Sequence, residues 1–186
     1  MKGLFVIAIG CSLAACSSNT EKTSEESTET KPTGLSGAIQ EVKVFEDSLK
    51  KSNASGTLEF NASTAVIYAE KCLDVSHRFP KSKEAPKFMD KAHIIFASAG
   101  LHQRSVIIAD SLIMQYPLYK NRAMVLESLA GAYDVFVIPR QKEKVKMYYE
   151  MLLKENPNMD TEQRKQIEDR LKHVDLTFDE YVSKSN

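Results

Sequence analysis

Along most of the chain after residue 36, apolar residues recur at intervals of three and four, as in AVIYAEKCLDV from Ala65 to Val75. That period puts them on one face of a helix, and alternating β-branched runs are scarce. Gly100 and Gly131 are the only glycines after Gly56. The pattern predicts an all-α protein with helices near 37–51, 62–78, 85–98, 102–116, 121–136, 141–156, 161–173 and 178–183. Loop signals separate them: Ser52 to Gly56, Phe79-Pro80, Gly100, Tyr116-Pro117, Ile138-Pro139 and Asn156-Pro157. Thr177 and Glu180 have the spacing of a capping box for the last helix.

The first 36 residues follow different rules. Leu4 to Ala15 (LFVIAIGCSLAA) is apolar behind Lys2, but a membrane-spanning helix needs roughly 20 apolar residues. Residues 1–15 are therefore read as an export signal. Leu13-Ala14-Ala15-Cys16 resembles a bacterial lipobox, which implies cleavage before Cys16 and lipid on its thiol. Several acyl chains, at about 0.8 kcal/mol per buried methylene, hold a protein on a bilayer without a spanning helix. Ser17 and Ser18 follow with no aspartate. By the same resemblance this directs the protein to the outer membrane, with its domain facing the periplasm or the cell surface. Residues 16–36 are almost all Ser, Thr, Glu and Lys and read as a disordered tether to a domain over 37–186.

Lys and Arg number 25, as do Asp and Glu, so the formal charge is zero. With no dense basic block, nucleic acid is not an expected partner. Removal of Cys11 with the signal and acylation of Cys16 leave Cys72 as the one free thiol, so no internal disulfide is expected. Its apolar helical setting suits a buried small hydrophobe better than a reactive thiol.

Repetition carries more information than any single helix. The helix ends HRFP, MQYP and KENP place Pro80, Pro117 and Pro157 at spacings of 37 and 40 residues, near the roughly 34 of a tetratricopeptide repeat (TPR). Between Pro86 and Pro117, Met89, Ala92, Phe96, Gly100, Ala109 and Leu112 fall at the core and turn positions of that family. In the unit ending at Pro157, Leu126, Leu129, Ala130 and Tyr133 match its first helix, and Val145, Tyr149 and Leu152 its second. His93 and Ser105 depart from it, standing where the family has small residues, and the turn around Pro139 is longer. The chain thus resembles TPR lipoproteins of Gram-negative envelopes and, more distantly, that of the barrel-assembly machinery.

The resemblance implies antiparallel helix pairs stacked as a short TPR-like right-handed solenoid, closed by C-terminal capping helices over 160–183. It also implies a groove along the first helix of each pair, lined by Lys87, Asp90, Ile94 and Ala97 in one unit and Met124, Glu127, Gly131 and Asp134 in the next. That groove has mixed charge with apolar spots at Ile94 and Met124, unlike a dedicated carboxylate clamp.

Catalytic signals are sparse. His77, His93, His102 and His173 form no HExxH or i, i+4 pair, and there is no CxxC, so no metal or other cofactor is expected. GxSxG, GxxxxGK[ST] and GxGxxG are absent. Carboxylates alternate with Lys and Arg, as from Glu162 to Arg170, in the manner of solvated helix faces. The expectation is a lipid-anchored, non-enzymatic adaptor that binds a protein or peptide of the envelope. Alternatives are an accessory factor in outer-membrane protein assembly, a structural spacer with a self-filled groove, and, in a different class, an envelope hydrolase subunit with a cleft between helices.

Overall fold

The computed structural model describes residues 33–52 and 61–185, all within the unit Lys31–Asn186. The expected signal peptide, Cys16 and all but the end of the tether lie outside the described residues. Among the described residues the chain is all-helical: α1 (Gly34–Ser52), α2 (Ala62–Arg78), α3 (Ala85–Ser98), α4 (His102–Gln115), α5 (Arg122–Gly131), α6 (Lys142–Glu155), α7 (Thr161–Lys172) and α8 (Phe178–Ser185). A π-helical turn, Ala132–Phe136, prolongs α5. None of these helices is long and apolar enough to cross a membrane.

The helix ends follow from local chemistry. Asn61 accepts from the Thr64 amide at 2.9 Å at the start of α2, and Asp160 from the Glu162 and Gln163 amides at the start of α7. Thr177 and Glu180 exchange the two bonds of a capping box. At the end of α3, Gly100 takes φ 73°. The Leu101 amide then reaches Phe96 O at 2.8 Å and the Gly100 amide Ala97 O at 3.0 Å, which is a Schellman closure.

One stop recurs three times. Phe79, Tyr116 and Asn156 close α2, α4 and α6 with φ of −130°, −127° and −121°. Each precedes a proline, whose ring forbids the helical conformation to its predecessor. Each carbonyl then accepts from the amide three residues on, at 2.9, 3.0 and 3.1 Å. The proline spacing seen in the sequence is therefore a spacing of identical turns.

Two boundaries differ from the sequence pattern by more than two residues. Helix α1 starts at Gly34, three residues before the predicted start, so the tether's last residues are helical. Helix α5 changes pitch at Ala132, where the Val137 amide bonds Ala132 O, five residues back.

The substantial interfaces join sequence neighbours: α1 with α2, α2 with α3, α3 with α4, α4 with α5, α5 with α6, and α6 with α7. The core between them includes Met89, Phe96, Leu112, Leu126, Leu129 and Leu152. Tyr148 is buried there, whereas its neighbour Tyr149, matched from sequence to the repeat's second helix, is half-buried. His93 and Ser105 are buried too, and the two departures from small residues satisfy each other through a 2.8 Å bond between Nδ1 and Oγ.

The C-terminal helices are held by an ion cluster. Asp134, on the π-helical turn, accepts from Arg170 Nε at 2.7 Å and Nη2 at 2.8 Å, and from Arg140 Nε at 2.8 Å. Arg170 also donates to His173 O and Leu176 O, and Arg140 to Val174 O. One buried carboxylate thus ties α5, the α5–α6 turn, α7 and the segment leading to α8. Asp134→Ala strands two guanidinium groups and should cost about 3–5 kcal/mol in urea unfolding. Glu150→Ala, at the exposed Lys146–Glu150 pair, should leave the midpoint unchanged.

Candidate functional site

Helix α3 presents Lys87, Asp90 and Ile94 within two turns on one face. Tyr68 of α2 and Tyr119 to Asn121 of the α4–α5 turn stand around them and enclose an open cavity of about 730 Å³. The turn folds back onto α3 because Tyr116 ends α4 before Pro117 in the recurrent geometry described above.

Asp90 is only 8% exposed and accepts from Tyr119 Oη at 2.9 Å and Asn121 Nδ2 at 3.3 Å. Burial, and then the bond to Asp90, push the Tyr119 hydroxyl well above its ordinary value, so it stays a donor. Lys87 is exposed and pairs with Glu84 at 2.8 Å. Lys91, which also lines the cavity, donates to Glu46 Oε1 at 2.5 Å, and Tyr68 Oη donates to the same oxygen. Burial alone would raise the Glu46 carboxyl, but these two bonds outweigh it and hold the group below the usual range. Ile94 is 52% exposed in the cavity wall.

The eight predicted groove positions do not all line one cavity. Lys87, Asp90 and Ile94 line the cavity on α3, whereas half-buried Ala97 does not. Met124 (68% exposed) and Glu127 line a separate cavity of about 450 Å³ with residues of the α6–α7 turn. There Glu127 accepts from Gln163 Nε2 at 3.1 Å. A Cβ on Gly131 would meet nothing within 4 Å. Asp134 faces the ion cluster and is closed off by Arg140 and Arg170, a consequence of partners 6 and 36 residues away. The sequence reading missed Tyr68, Lys91, Tyr119, Lys120 and Asn121. The signal available for the last three was the recurrent proline turn, which implies a segment folded against the preceding helix.

The remaining polar residues act as fasteners. Asp110 of α4 accepts from Tyr133 at 2.8 Å, from Tyr148, and from Lys144 at 3.4 Å. Cys72 is buried, and burial pushes its thiol up to about 12. His93 meets Ser105 and not His102, whose ring stacks on Phe136 with centroids 4.2 Å apart. Among the described residues no three His, Cys, Asp or Glu side chains are grouped to hold a metal ion.

Comparison with known proteins finds no matching family model, no matching curated protein and no matching solved structure.

Burial pushes the His93 imidazole below its ordinary value, against the raising effect of Asp90. The unfolded chain, with a His pKa near about 6.5, then takes up a proton that the folded chain refuses. Stability is retained above about 6.5 and lost as the pH falls through that value. Between pH 7.5 and 5.5, urea unfolding should show the wild type losing more stability than His93→Gln. In a second test, Cys72 should resist a thiol reagent at pH 7.5 until denaturant is added, since the thiolate is the reacting form.

Proposed function

We propose that the chain is a lipid-anchored, non-enzymatic adaptor that binds a protein or peptide of the bacterial envelope through the cavity on α3. In this reading its helix pairs form a short TPR-like right-handed solenoid, with α7 and α8 as capping helices. Packing between sequence neighbours and the thrice-repeated turn support that arrangement. Cys16 carries the lipid and the residues between it and α1 the reach, placing the domain beside other proteins of the outer membrane at high local concentration.

The observation that carries the reading is the open cavity of about 730 Å³, with exposed Lys87 and Ile94 on its wall. The strongly perturbed hydroxyls around it, on Tyr68 and Tyr119, are engaged in bonds to Glu46 and Asp90 that join helices. That is a framework role rather than an acid–base one.

A photo-crosslinking residue at position 94 of the full chain, expressed in its host, should yield a discrete adduct that the same residue at exposed His77 does not. Identical products from both positions would sink the groove assignment. Cys16→Ser should move the chain out of the outer-membrane fraction, and its retention in that fraction would overturn the lipid anchor.

A further inference from the structure

Charge along the α3 cavity is less balanced than the sequence suggests. The α2–α3 and α4–α5 turns meet at one end of it, joined by Tyr116 Oη donating to Pro80 O at 2.8 Å. They carry Lys81, Lys83 and Lys120, all exposed and all without an ion pair among the described residues. The nearby carboxylates do not offset them. Glu84 is held by Lys87, Glu46 by Lys91 and Tyr68, and Asp90 lies under Tyr119 and Asn121.

A further cavity of about 520 Å³ runs between the two turns and shares Lys87, Tyr119 and Lys120 with the first, so the two adjoin. Its walls include Pro80, Pro86, Pro117 and Leu118, the last 97% exposed. Prolines fix the backbone of both turns, which lowers the entropy lost on binding.

Resting on the adaptor reading above, we propose that these two adjoining cavities together take an extended acidic segment of the partner protein. Its carboxylates would lie on Lys81, Lys83 and Lys120, with an apolar side chain against Leu118 and the prolines. A concave trough with cations along its rim fits a strand-like chain better than a flat anionic bilayer. Three exposed charge pairs together supply about tenfold in affinity, weakened by salt.

The test is fluorescence anisotropy of the full chain with a labelled dodecapeptide of three Glu-Glu-Asp-Leu repeats, against its Gln-Gln-Asn-Leu counterpart. The acidic peptide should bind at least tenfold more tightly at 50 mM salt. Lys81→Glu with Lys83→Glu and Lys120→Glu should erase that preference while circular dichroism stays unchanged. Leu118→Ser should weaken the acidic peptide several-fold. Equal binding of both peptides, an intact preference in the triple variant, or no binding of either would overturn the acidic assignment. The adaptor reading is decided separately by crosslinking from position 94: an adduct there with no acidic preference leaves the groove in place and changes only its ligand.

Discussion

A carboxylate taken out of water must find donors, and that requirement fixes how these helices lie against one another. Among the acidic side chains that bridge elements, four take two or more donors each, with partners far along the chain. Glu46 of α1 takes Tyr68 of α2 and Lys91 of α3, and Asp90 of α3 takes Tyr119 and Asn121 of the α4–α5 turn. Asp110 of α4 takes Tyr133 and Tyr148, and Asp134 takes Arg140 and Arg170. Apolar contact alone tolerates a helix sliding by part of a turn. A carboxylate with named donors does not, because a small slip leaves a buried group unpaired.

Tyrosine suits most of these positions for a definite reason. Its ring fills apolar volume between helices while its hydroxyl reaches the acid at the edge. Burial and the adjacent carboxylate raise Tyr68, Tyr133 and Tyr148, so each remains a protonated donor. Where Asp134 is fully enclosed, two guanidinium groups replace the phenols and supply charge as well as direction. The same ties shape the candidate site, since the Asp90 bonds draw the α4–α5 turn across α3 and build the cavity's far wall.

Much of this was legible in the sequence. Helix limits could be read because prolines, Gly100 and the capping residues act locally, and the all-α class followed from a period of three and four. The groove was legible only in part. Lys87, Asp90 and Ile94 share a face by spacing alone, but nothing local shows that Tyr119 and Asn121 cover Asp90 or that Arg170 closes over Asp134. Position on a helix gives direction, while exposure depends on distant partners. Phase was lost as well, because the π-helical turn at Ala132 adds a residue to the repeat that a period of 3.6 cannot anticipate. His93 and Ser105 looked like two separate misfits, and only the hairpin reveals one bonded pair.

The packing of each helix on its neighbours in the chain bears on how such a molecule comes into being. Contacts local in sequence close short loops, so little entropy is lost before each new interface forms. With each interface formed between neighbours in the chain, order can spread from one helix to the next while the rest is still being synthesised. Over evolutionary time, packing of this kind lets a helix pair be gained or lost at an end, lengthening or shortening the stack while the interfaces already built stay as they are.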